Sequence, residues 1–167
     1  EPLARGARID LLRGVPVVVR EGRPINTRVV RQQVDEATEY VEAAAVRLRD
    51  RRIDARAHVR YGLPLEEILK FAAVEQSDLI VITTHGRTGI RRWVVGSVTE
   101  QVLRAATVPL LVRKSFESAP TVRPIRKIIV ALDGSETAER ILPFAESFGR
   151  TFGADLLLLS VVPTPDE

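Results

Sequence analysis

The chain has 167 residues, a formal net charge of +3, 45% hydrophobic and 28% charged residues, which is enough for one domain with a real core and ordinary for a folded soluble protein. It has no cysteine, which excludes disulfide staples and thiolate metal sites. There is no apolar run long enough to span a bilayer and no signal-peptide pattern, so a cytoplasmic protein is expected, and only three of the 25 basic residues (Lys70, Lys114 and Lys127) are lysine, with arginines too dispersed for a nucleic-acid surface.

In chain order, Gly6–Pro16 (GARIDLLRGVP) reads as a strand segment in which Asp10 is awkward. Glu21–Thr27 is a polar loop. Apolar residues at Val30, Val34, Ala37, Val41, Ala44 and Leu48 recur in steps of four and three, one buried face of a long helix. Ala55–Tyr61 alternates apolar and polar residues, as a half-exposed edge strand does, with His58 on the polar, solvated face. Pro64 suits the first turn of a helix over Leu65–Val74. Lys114–Arg126 is a linker, Arg126–Glu136 (RKIIVALDGSE) a strand and turn, and Ser135–Phe148 one further helix in which Pro143 should introduce a kink or break one hydrogen bond.

Between these lies Asp78–Arg113, a buried strand, a glycine-containing loop, a helix and a second strand. Leu79–Ile82 is apolar on both faces, as a central parallel strand must be. Its carboxyl end opens onto a loop with Gly86, Gly89 and Gly96, at the edge where open α/β sheets bind ligands. Ser97, three residues before Glu100, predicts a reciprocal helix cap, with the positive end of the helix facing the loop. A phosphate would be stabilised there without lysine. His85 and Arg87 stand in the same loop as candidate ligand contacts. Trp93 reads as a packing anchor; Arg91 and Arg92 fit a phosphate contact, a solvated loop or a dimer contact equally.

The chain resembles the universal stress protein family, whose nucleotide-binding members carry G-x2-G-x9-G-[S/T] after the fourth strand. Here Thr83-Thr84-His85-Gly86 is followed, after nine residues, by Gly96-Ser97, so Thr83 replaces the first glycine. RKIIVALDGSE resembles the family's first strand and turn, and Leu158–Pro163 (LLSVVP) its second strand. The resemblance implies a doubly wound five-stranded parallel α/β sheet with helices on both faces, Rossmann-like and of the adenine nucleotide alpha hydrolase type. It implies ATP or a related adenine nucleotide, with Mg as the accompanying ion. Asp133 would hold ribose or the metal, Ala131 and Val161 would frame adenine, and Gly86, Gly96, Ser97 and Val98 would present amides to the phosphates. Catalysis is not expected beyond very slow ATP hydrolysis, since no base is arranged beside the phosphates; the role implied is a stress-response sensor or scaffold. A dimerising interaction module that uses Pro109–Arg113 is the alternative; the absence of a Ser-Gly-Gly-rich loop argues against an ATP-pyrophosphatase.

Residues Gly6–Pro16 and Gly153–Pro163 (GADLLLLSVVP) align without gaps at an offset of 147. This suggests one period of a tandem repeat cut out of phase: 1–113 the carboxyl-terminal portion of one repeat, 114–126 a linker, and 127–167 the start of the next. The lack of methionine fits a fragment, a processed chain or an engineered one. The first 113 residues would then lack a central strand, which 127–167 would supply within the chain or by exchange in a homodimer, composing one site from Asp133 and Val161 with Gly86, Gly96 and Ser97.

Overall fold

The computed structural model describes residues 6–16, 27–84, 96–114 and 123–161, in which parallel strands alternate with helices. They divide into two compact units, Arg8–Ala119 and a second formed by Glu1–Ala7 with Pro120–Glu167. The larger unit contains β1 (Ile9–Pro16), α1 (Thr27–Arg49), β2 (Ala55–Gly62), α2 (Pro64–Val74), β3 (Ile80–Thr84), α3 (Ser97–Ala105) and β4 (Leu110–Lys114). The smaller contains β5 (Lys127–Leu132), α4 (Glu136–Glu139), α5 (Leu142–Phe152) and β6 (Asp155–Ser160).

In the larger unit β1 and β2 pair in parallel from Ile9↔Ala55 to Pro16↔Gly62, and β3 and β4 from Ile80↔Leu110 to Thr84↔Lys114. α1 buries Ala37, Val41 and Ala45, all small or β-branched side chains that let the helix approach its sheet closely. Val15 and Ala55 complete that layer, and Arg13 lies over the Tyr40 ring at 5.0 Å. α2 covers the opposite face: its Pro64 backbone comes within 3.9 Å of the Cβ position of Gly14, and its Phe71 ring meets His58 at 4.7 Å. Pro64 stands in the first turn, as expected, where the missing amide costs nothing.

The expected five-stranded sheet is not what the described residues form. Their strands make three two-stranded ladders, β1-β2, β3-β4 and β5-β6. β5 pairs with β6 from Lys127↔Asp155 to Leu132↔Ser160, the strand that follows it after one helical hairpin of chain, where loop closure costs least. β3 accordingly differs from the buried central strand read from its composition: Val81 is 62% exposed. β6 begins at Asp155 and ends at Ser160, earlier than Leu158–Pro163 suggested.

The smaller unit has a thin core, with Val130, Ala145 and Gly149 buried between β5 and α5. The opposite face of the ladder is bare: Ile129 and its ladder partner Leu157 are both exposed. Pro143 interrupts the predicted helix, and α4 ends at Glu139 before α5 restarts at Leu142 with proline in its first turn. Gly153 closes α5 with φ of 61°.

Candidate functional site

Gly96 is the N-cap of α3, and Ser97 is its first helical residue. The first bond along the helix runs from the Glu100 amide to the Gly96 carbonyl at 3.0 Å, so the amides of Ser97, Val98 and Thr99 have no acceptor within the helix. It is at this helix end that the sequence places an expected phosphate. The reciprocal cap is not formed, because the helix starts one residue earlier than the pattern assumes: Glu100 falls at the fourth helical position and reaches forward to Arg104 at 3.0 Å. Thr99 and Val102 anchor the helix in the interior.

Gly96 has φ of −56° and ψ of 144°, a conformation open to any residue. A Cβ added there would meet its nearest atom, Thr99 Oγ1, at 3.9 Å, an ordinary contact. Neither the backbone conformation nor any atom of the described residues requires glycine.

Thr83 lies near the end of β3, exposed, in register with Arg113 on β4. His85, Gly86 and Arg87, with Gly89, Arg91, Arg92 and Trp93, lie outside the described residues.

The other candidate residues gather at the carboxyl ends of β5 and β6, the end at which parallel sheets bind ligands. Ala131 and Asp133 are exposed, and Val161, just beyond β6, is 78% exposed. The Ser135 amide donates to Asp133 Oδ1 at 2.9 Å, and the Ala138 amide donates to Ser135 Oγ at 3.1 Å. Ser135, not Asp133, is thus the N-cap of α4, and Asp133 is held two residues before it. Hydrogen bonds from Ser135, the side chain foremost and then the backbone, keep the Asp133 carboxyl below the usual carboxylate range. Gly134 between them has φ of +82°, a left-handed conformation that does require glycine. Among the described residues no group of three or more His, Cys, Asp or Glu is placed to hold a metal ion.

One cluster was not anticipated. Asp10 Oδ1 lies 2.9 Å from His58 Nε2, Arg8 Nε lies 2.7 Å from Asp10 Oδ2, and a second nitrogen of Arg8 lies 2.9 Å from Glu75 Oε2. His58, expected to be solvated, is half-buried because α2 covers that face of the ladder, and Asp10 finds its partners there. Burial pushes the Asp10 carboxyl up, but hydrogen bonds from Arg8 and His58, with their charges, outweigh it and leave it below its ordinary value. The signal in the sequence was Asp10 itself, standing where the matching segment has Leu157.

The model of the universal stress protein family matches residues 1–114 and 124–167. The chain belongs to the universal stress protein family. It is 31% identical over 109 residues to universal stress protein MJ0577 of Methanocaldococcus jannaschii, a match that covers 65% of this chain and 67% of that protein. A 53-residue match to universal stress protein MJ0531 of the same organism is 47% identical and spans 32% of this chain and 31% of that protein. Among solved structures, a universal stress protein from Archaeoglobus fulgidus superposes with a TM-score of 0.73 at 23% identity, over 96% of this chain and 57% of that one. The structure of MJ0577 gives a TM-score of 0.55 at 28% identity, over 66% of this chain and 78% of that one. These likenesses support an α/β, Rossmann-like fold, with the chain spanning little more than half of the Archaeoglobus protein. No helix among the described residues is long and apolar enough to cross a membrane.

Proposed function

We propose that this universal stress protein chain binds ATP or a related adenine nucleotide and works as a stress-response sensor or scaffold. The observation that carries the proposal is Gly96: glycine stands where neither φ nor, among the described residues, any neighbouring atom demands it, beside three helix-end amides and at the family's motif spacing. A glycine of that kind is explained by a phosphate that must approach the backbone. The amides of Ser97 and Val98, with that of Gly86, donate to the phosphates in this reading. Within the smaller unit, taken by itself, Asp133, exposed and held in its charged form, is the candidate contact for ribose or a divalent ion, and Ala131 and Val161 are the candidates for adenine.

A magnesium ion fits this set only in part. Asp133 supplies one hard oxygen ligand and the described residues supply no cluster around it, so the ion would take its remaining ligands from phosphate oxygens and water. Bound there, it would neutralise phosphate charge. No base is positioned by the described residues to direct a water, so hydrolysis, if present, is very slow in this reading.

A second reading is favoured by Thr83, which puts a side chain at the first glycine of the motif: a module that binds no nucleotide and dimerises through β4. The two readings part on one experiment. Purified protein is denatured by heat, and the released material is examined by absorbance ratio and mass spectrometry; adenine nucleotide supports the first, and calorimetry that finds no ATP binding supports the second.

A further inference from the structure

The face of α1 turned away from the sheet carries a residue pattern that is complementary to itself. The buried stripe of the helix is Ala37, Val41 and Ala45. On the far side stand Tyr40, Ala43 and Val46, all exposed, Tyr40 at 61% and Val46 at 43%, so none of them serves the core of this unit. Tyr40 is nevertheless held in place, because Arg13 of β1 lies over its ring at 5.0 Å. A ring fixed in this way loses little further freedom when a partner covers it.

Helix geometry turns the pattern into a pairing rule. With Ala43 on a two-fold axis between two antiparallel copies of α1, residues equally far before and after Ala43 come opposite one another, at equal height and on matching sides. Three positions out, Tyr40 of one copy meets Val46 of the other. Four positions out, Glu39 meets Arg47, and both contacts occur twice. Ala43, the smallest side chain of the three, stands at the axis where the backbones come closest. A parallel pair would instead set Glu39 beside Glu39 and Arg47 beside Arg47, so the charges select the antiparallel arrangement. Among the described residues Glu39 and Arg47 enter no ion pair, whereas Arg49 is taken by Glu42. The like-charged Glu36 and Asp50 also come round to one another, but seven positions out, ~10.5 Å along the helix, where helices crossing at ~50° have separated. Glu36 is moreover held by Gln32 at 2.9 Å.

We propose that the outer face of α1 is a self-association surface, on which a second copy of this chain docks its own α1 antiparallel about Ala43. The contact is separate from pairing through β4 and rests on no assumption about nucleotide. Two helical turns bury less than the ~1,200–2,000 Å² of stable complexes, so the pairing is weak, grows with protein concentration, and is loosened by salt through the exposed Glu39 and Arg47.

The absence of native cysteine allows a direct test. Full-length Ala43→Cys is oxidised at high protein concentration, and the 43–43 disulfide is quantified beside that of Arg31→Cys, an exposed position on another side of α1. A disulfide needs Cα atoms within ~7 Å, which this pairing supplies at Ala43 and not at Arg31. The 43–43 yield should exceed the control about fivefold or more. In the Ala43→Cys background, Glu39→Arg alone or Arg47→Glu alone should lower it about fivefold or more, and the two together should restore it, because the exchanged pair is again complementary. Circular dichroism checks that each variant keeps its helices. A 43–43 yield no higher than the control, single charge variants that leave it unchanged, or a double variant that fails to recover overturns the proposal.

Discussion

His58 Nε2 and Asp10 Oδ1 lie 2.9 Å apart, joining β2 to β1 across 48 residues of sequence, under the Phe71 ring of α2. Arg8 holds the other oxygen of the same carboxylate. A charged group thus sits in a covered part of the sheet because every oxygen has a partner.

The pH dependence follows from the direction of the Asp10 shift. Its folded value lies below the ordinary ~3.9, so its stabilisation is fully present above about pH 4 and is lost as pH falls further through the folded value. Unfolding free energies of the parent and of Asp10→Asn from urea titration should differ by about 1 kcal/mol near pH 7 and converge in acid. A difference that stays constant from pH 7 to 3 would contradict the pairing.

Gly134 gives a cleaner backbone test. Its φ of +82° places it in the left-handed region, and a Cβ there would touch nothing within 4 Å. Gly134→Ala should therefore cost about 1–2 kcal/mol through conformation alone, read as a lower denaturant midpoint. An unshifted midpoint would mean that the turn relaxes without penalty.

Ser135 caps α4 through the Ala138 amide, so Ser135→Ala should lower stability by about 1 kcal/mol. It also removes the hydroxyl that helps keep Asp133 charged. Nucleotide affinity measured with magnesium should drop further for Asp133→Asn than for Ser135→Ala; equal losses would make Asp133 a turn residue only.

Much of this was legible in the sequence where a local rule governed the outcome. The apolar steps through Ala37 and Val41 gave α1, Pro64 marked the start of α2, and Pro143 marked the break between α4 and α5. The misses were non-local. Ser97 and Glu100 fit a capping pattern, but the tertiary start of α3 at Gly96 moved both out of position. His58 read as solvated because nothing local says that α2 lies over its face. The single five-stranded sheet was the largest departure, since composition gives a strand's burial preference and not its neighbour; the described strands form three two-stranded ladders. The partnership of Asp10 with His58 needed the β1-β2 register, which no spacing contains.

If ATP is hydrolysed at all, turnover should fall far below the enzyme median of ~10 per second. Phosphate release under saturating ATP and magnesium checks this, and a rate near that median would replace the binding-protein account with an enzymatic one.

The most direct measurement of the central claim is ATP affinity by calorimetry in the parent and in Gly96→Val. Because Gly96 has an ordinary φ and room for a Cβ, the variant should keep its fold by circular dichroism. Its affinity should nevertheless weaken about 10-fold or more, through loss of charge-assisted hydrogen bonds at the helix end. Unchanged affinity in a folded variant, or no ATP binding by the parent, would contradict the account.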